Sequence, residues 1–191
     1  SRWFSFVVPS VLLAAIVLSG CQHTASLPDH TVERLDLDRF MGTWFVIAHI
    51  PLWPERNAWN AVEHYRRLDE KRIRATFIFR NGGADRPVKE YRPTAFLDDD
   101  RDPATWKMQF LWPFKADFRV VHLSADYGTT IIGRRKRDHA WIMAREPAVP
   151  EAEYRALVDY LREQGYPVEK LRKVPQDWPG EPGYPERIQV E

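Results

Sequence analysis

Polar and apolar residues alternate along most of the chain after Leu35. In Trp106-Lys107-Met108-Gln109-Phe110-Leu111-Trp112, the residues Trp106, Met108, Phe110 and Trp112 share one face, the pattern of a half-buried strand. Arg72 to Arg80 repeats it, with Ile73, Ala75, Phe77 and Phe79 on one side, and Asn81-Gly82-Gly83 follows as a turn. The pattern predicts eight strands near 43–50, 60–68, 72–80, 88–97, 104–112, 117–124, 127–134 and 139–146. Short strands joined by turns favour an antiparallel meander, whose apolar face must be covered by a second sheet or by closure on itself. After Pro147 the period changes. Tyr154, Leu157, Val158 and Leu161 form a helical stripe, Glu151 and Glu153 suit the helix N-terminus, and Gly165 and Pro167 stop it. This helix is expected against the outside of the sheet. Beyond Val174, closely spaced Pro and Gly predict an irregular tail.

The first twenty residues follow another rule. Arg2 precedes an uncharged run from Trp3 to Gly20 centred on Val11 to Leu18, which reads as an export signal. Its end, Leu18-Ser19-Gly20-Cys21, resembles the lipobox of bacterial lipoproteins. That resemblance implies cleavage before Cys21, acylation of Cys21 and, with Gln22 rather than Asp beside it, delivery to the outer membrane. Such an anchor exceeds the two-chain threshold for stable membrane attachment. An uncleaved membrane segment ending at a Cys is the alternative. The expected organisation is a signal peptide over 1–20, a lipidated tether over 21–34, a folded unit over 35–176 and a Pro/Gly-rich tail over 177–191.

Composition narrows the function classes. With 28 Lys and Arg against 27 Asp and Glu, the net charge of +1 offers no field for nucleic acid. A single Cys makes no internal disulfide and no Cys-rich zinc site. Aromatic residues make up 13% of the chain, eight of them Trp, which argues for a filled interior in one domain.

The segment Leu35 to Ala48 contains Gly42-Thr43-Trp44 behind a short helical turn and resembles the opening signature of lipocalins. Ala125-Asp126-Tyr127 is similar to the family's Thr-Asp-Tyr between its sixth and seventh strands, and Arg145 ends the eighth. Ile50-Pro51, Trp112-Pro113-Phe114 and the stretch from Tyr166-Pro167 to Pro175-Gln176 are similar to the bacterial outer-membrane lipocalins. The resemblance implies an all-β fold, an eight-stranded antiparallel up-and-down barrel with one C-terminal helix outside. Trp44 is expected to plug the closed end under the Arg145 guanidinium.

A barrel of eight strands holds one small ligand or its own side chains. By alternation the inward set includes Ala75, and the expected lipid-binding residues are Phe77, Phe79, Trp106, Met108, Phe110, Phe118, Val120 and His122. His122 is the polar member, suited to a carboxylate or phosphate ester. If the lipocalin topology applies, loops near 51–59, 81–87, 112–117 and 134–139 ring the mouth, and Arg134, Arg137 and Lys115 are the expected head-group rim. This points to a fatty acid or lysophospholipid ligand, no cofactor, no metal and no catalysis. Asp98-Asp99-Asp100-Arg101-Asp102 lacks the Gly and Glu of a calcium loop, and no His-x-x-x-His or Gly-x-Ser-x-Gly motif occurs. The resemblance adds periplasm-facing membrane maintenance, storage or transport. An enzyme of lipocalin shape acting on a lipid-like substrate and a structural lipoprotein with a filled barrel remain open, as does a homodimer through exposed aromatics such as Trp53.

Overall fold

Asp36 opens the first element by accepting the backbone N–H groups of Asp38 and Arg39 at 3.0 and 3.2 Å, which caps the short helix α1 (Leu37–Phe40). The computed structural model describes residues 30–99 and 102–178 of the 191. The expected signal peptide, Cys21, the tether as far as residue 29 and the tail from residue 179 lie outside the described residues, as do two residues of the acidic turn.

From Gly42, whose φ of +94° suits a residue without Cβ, the chain enters β1 (Gly42–Ile50). It continues through β2 (Ala58–Arg67), β3 (Arg72–Asn81), β4 (Val88–Tyr91), β5 (Thr94–Asp99), β6 (Asp102–Leu111), β7 (Phe114–Leu123), β8 (Thr129–Gly133) and β9 (Ala140–Ala144). Every neighbouring pair is antiparallel, and β9 returns to pair with β1 from Phe45↔Ala144 to Ile50↔Ala140. The sheet is therefore a closed barrel of eight staves. The fourth stave, expected as one strand over 88–97, is two: Arg92-Pro93 breaks it, because proline supplies no N–H to a ladder. Both pieces pair with β3.

Closure sorts the apolar residues into two sets. Inside lie Phe40, Trp44, Tyr65, Phe77, Phe79, Trp106, Phe118 and Trp141 with smaller residues between them. Outside, Phe45, Ile47, Ile131 and Ile142 meet the helix α2 (Glu151–Glu163) through Leu157 and Leu161, with Tyr154 and Val158 partly buried beside them. The helix lies on the outer face as its stripe requires. It ends at Gly165, φ +78°, after which Tyr166 folds back onto Gly133.

Of the expected irregular tail, residues 175–178 are described: they carry no helix or strand, and hydrogen bonds tie them to the barrel as the end of a strap. β10 (Arg172–Lys173) pairs with β1 where β1 and β2 have separated. Gln176 Nε2 then donates to both Val46 O and Ala61 O, at 2.8 and 3.0 Å, and so joins the two strands through one amide. Asn60 supports the strap by accepting from Asp177 N at 2.7 Å. The prolines suit this segment because an extended strap uses few N–H groups of its own.

Candidate functional site

The two ends of the barrel are built differently. At the closed end Phe40 stands 5.0 Å from Trp44, 5.8 Å from Tyr65 and 5.7 Å from Trp106, centroid to centroid. These rings leave no room for a ligand. Arg145 seals them from below. Its guanidinium carbon lies 3.7 Å from the centre of the Trp44 ring, and its N–H groups donate to the carbonyls of Arg39, Phe40, Met41 and Thr43. Beside it, the Tyr127 hydroxyl accepts the Asp36 N–H at 3.0 Å and the Tyr127 ring lies 3.9 Å under Arg39.

The upper half is hollow. A cavity of about 410 Å³ opens at the mouth and is lined by Leu52, Pro54 and Glu55 from the loop after β1, by Phe77 and Phe79, by Tyr91, Arg92 and Pro93 at the β4–β5 break, and by Phe110, Phe118, His139 and Trp141. Its volume falls within the roughly 300–1,000 Å³ usual for small-molecule sites. Phe77 stacks between Phe79 and Trp141, at 4.9 and 5.3 Å, so the aromatic wall is continuous.

Of the eight expected lining residues, Phe77, Phe79, Phe110 and Phe118 line the cavity, Phe110 at the mouth with 52% of its surface exposed. Trp106, Met108 and Val120 point inward but belong to the packed core and not to the lining. His122 is a correction. The β7–β8 register shifts between Val120 and His122, which breaks the alternation, and the His122 ring stands outside the barrel, 4.9 Å from Tyr160 on α2. Burial there lowers its pKa.

The expected rim is corrected as well. The 134–139 turn is at the mouth end, but Arg137 turns away to donate to Gln164 O at the C-terminus of α2, an end rich in unpaired carbonyls. Arg134 packs beside it, accepting the Tyr166 hydroxyl at its carbonyl. Lys115 lies 3.9 Å over Phe96 on the outer face, because it alternates with inward-facing Ala116. A guanidinium that does line the cavity is that of Arg92, held by Glu90. Lys89 and Arg56 flank an outer groove with Trp53 and Tyr91. Proline at position 93 was the signal for Arg92, since the residue before a strand-breaking proline sits at a bend.

Sequence reasoning missed the buried polar cluster on the cavity wall. Glu55 sits in a short turn of 3-10 helix (Trp53–Glu55) and folds inward. Its Oε2 accepts the Trp141 Nε1–H at 2.9 Å and lies 3.6 Å from His49 Nδ1, while its Oε1 accepts the Leu52 N–H at 3.3 Å and lies 3.8 Å from His139 Nε2. Burial works to raise the Glu55 pKa, but the neighbouring His49 and His139 and the Trp141 N–H outweigh it, and the carboxyl is held below its ordinary value. His139 is pushed down, mainly by burial. Glu63, on the inward face of β2, is pushed well up by burial and by the nearby Glu55 charge, and its Oε2 has no hydrogen-bond partner. Three isolated acids and bases from three elements carry no shared spacing, so no motif announces them. Among the described residues no group of three or more His, Cys, Asp or Glu is placed to hold a metal ion.

Comparison with known proteins decides the family. The model of the lipocalin-like domain matches residues 35–176. The chain is a lipocalin. Similar relatives include the outer membrane lipoprotein Blc of Citrobacter freundii, 26% identical over 181 residues that cover 89% of this lipocalin and 96% of that protein. Temperature-induced lipocalin-1 of Arabidopsis thaliana is 27% identical over 162 residues, 76% of this chain and 81% of its own. Among solved structures, insecticyanin from the tobacco hornworm superposes with a TM-score of 0.60 at 18% identity, covering 78% of this lipocalin and 86% of insecticyanin. That likeness is one of fold. The lipocalin signature residues Trp44, Tyr127 and Arg145 thus belong to the closed end, away from the open cavity.

Proposed function

We propose that this lipocalin binds a single-chain lipid, a fatty acid or a lysophospholipid, with the chain in the aromatic cavity and the polar end at the mouth. The observation that carries the reading is the hollow of about 410 Å³ walled by Phe77, Phe79, Phe118 and Trp141 above a closed end packed solid. Each methylene leaving water contributes about 0.8 kcal/mol, so half a dozen supply about 5 kcal/mol before ordering losses. Arg92 and Lys89 stand where an anionic head group would emerge. The protein does no chemistry in this reading; it stores or carries lipid for membrane maintenance.

The lipobox-like Leu18-Ser19-Gly20-Cys21 and the similarity to the Blc lipoproteins support an anchor through Cys21 in the outer membrane, facing the periplasm. Phe110, Leu111, Trp112 and Phe114 form an exposed apolar tip on the β6–β7 hairpin beside the mouth, with Trp112 81% exposed, and this tip suits the bilayer from which the ligand comes. The test is energy transfer from Trp141 to a fluorophore carried on the chain of a single-chain lipid. Saturable transfer that falls in Trp141→Phe, with binding retained, places the chain in the cavity; no saturable binding would refute the reading.

A further inference from the structure

Two hydrogen-bond acceptors lie 3.8 Å apart in the wall of this cavity. His139 Nδ1 lies 2.6 Å from the Ile50 carbonyl, a contact that requires the proton on Nδ1 and leaves Nε2 of the neutral ring as a lone pair. That Nε2 has no partner, although His139 is 0% exposed, and the atom nearest to it among its ion-pair contacts is Glu55 Oε1 at 3.8 Å. Glu55 is itself an acceptor already occupied by Leu52 and Trp141. A buried acceptor without a donor is destabilising, so the site is short of one hydrogen.

We propose that the cavity selects a long-chain ligand whose polar group next to the chain is a hydroxyl, the O–H donating to His139 Nε2, and that it discriminates against a carboxylate at that position. The inference rests on the reading above that a single lipid chain fills the cavity, and it goes beyond that reading at the polar end, where a hydroxyl takes the place of a fatty-acid carboxylate beside His139. A hydroxyl brings the missing donor without charge. A carboxylate brings only acceptors and sets a second negative charge beside Glu55, in a wall whose other members are Phe118 and Trp141, at 6.0 and 4.9 Å from the His139 ring. An ester is neutral but donates nothing. Burial, the main influence on His139, keeps the ring neutral and its Nε2 open to a donor. His49 does not compete, because it stands at 3.6 Å from the other Glu55 oxygen.

The experiment uses three dansyl-tailed undecyl probes that differ only in the end group: a primary alcohol, a methyl ester and a carboxylate, each titrated into the full folded chain at neutral pH. The alcohol is expected to bind about tenfold more tightly than the carboxylate, with the ester between them. Two variants assign the preference. His139→Phe should bring the alcohol down to the ester, and Glu55→Gln should lift the carboxylate towards the ester. The ranking in the unaltered protein decides the matter even if a variant folds poorly. Equal affinities for all three, or a carboxylate that binds best, overturn the proposal and leave lipid binding standing. Failure of all three to bind, the ester included, overturns the lipid-binding reading and this inference with it.

Discussion

The Arg145 guanidinium lies 3.7 Å from the centre of the Trp44 ring and donates four hydrogen bonds to main-chain carbonyls of α1 and the start of β1. One side chain thus terminates the helix, fixes the entry into the barrel and covers the indole that plugs it. Gly42 belongs to the same device, since a Cβ there would stand 3.4 Å from the guanidinium. Burial lowers the Arg145 pKa to about 10, still charged at any physiological pH.

Arg145→Ala removes the cation–π contact and leaves part-buried carbonyls without donors. The loss expected is about 3 kcal/mol, from charge-assisted bonds of about 1.5–3 kcal/mol and a ring contact of about 0.5–2 kcal/mol that do not add fully. Thermal or urea unfolding measures it. Ligand affinity, read in the same variant while folded, should change little, because Arg145 is at the opposite end from the cavity.

Gly133 and Tyr166 make the second tight contact. A Cβ on Gly133 would fall 2.1 Å from the Tyr166 hydroxyl and 2.9 Å from its ring carbon. Gly133→Ala therefore forces Tyr166 off β8 and loosens the end of α2, for about 1–3 kcal/mol by overpacking. In Gly133→Ala/Tyr166→Phe the worst overlap is gone, and a double-mutant cycle should recover part of the loss. Full additivity would show that the two residues do not touch.

Stability should depend on pH in opposite senses through two buried groups. Glu63 is pushed well above its ordinary 4.5 by burial and by Glu55, so the folded state keeps a proton the unfolded chain releases. Its contribution is complete below about 4.5 and is lost as pH rises towards the raised value. Glu63→Gln should accordingly melt higher than the unaltered protein at pH near 8, with the difference shrinking at acid pH. His139, lowered from 6.5, works the other way: its contribution is complete above 6.5 and is lost as pH falls through the lowered value. Melting curves from acid to alkaline pH separate the two, and an alkaline melting temperature unchanged by Glu63→Gln would contradict the burial argument.

The exposed hairpin tip predicts membrane contact. Trp112→Ser with Phe114→Ser should reduce sedimentation with lipid vesicles several-fold while leaving the fold intact, since both side chains are more than 70% exposed. Unchanged vesicle binding would remove the tip from that role.

Much of this architecture was legible from residue patterning. Alternation placed Phe77, Phe79, Phe110 and Phe118 on the inner face and the stripe of Leu157 and Leu161 placed the helix outside, while the closed end at Trp44 and Arg145 came from the lipocalin resemblance. Alternation failed where backbone geometry changed. The register shift at Val120 and His122 turned the histidine outward, and Pro93 split a stave and swung Arg92 to the mouth. Side-chain alternation also gives no depth, so Trp106 and Met108 were indistinguishable from cavity residues although they pack below it. The wall of Glu55, His49 and His139 was hidden for a different reason: it is assembled by a loop folding into the mouth, and contacts 84 to 89 residues apart in sequence leave no local pattern. Arg134, Arg137 and Lys115 looked like a rim because their turns reach the mouth, yet the Gln164 carbonyl takes the Arg137 side chain, the Arg134 side chain lies beside Asp138, and an outer phenyl ring takes Lys115.

The central claim is that the upper barrel encloses one lipid chain. Native mass spectrometry of the protein released gently from its own membrane tests it most directly. The account predicts one additional species, heavier by a single one-chain lipid bearing a hydroxyl, which disappears when the protein is stripped with organic solvent and refolded. A protein that arrives bare, and that acquires no adduct when single-chain lipids are added back, would contradict it.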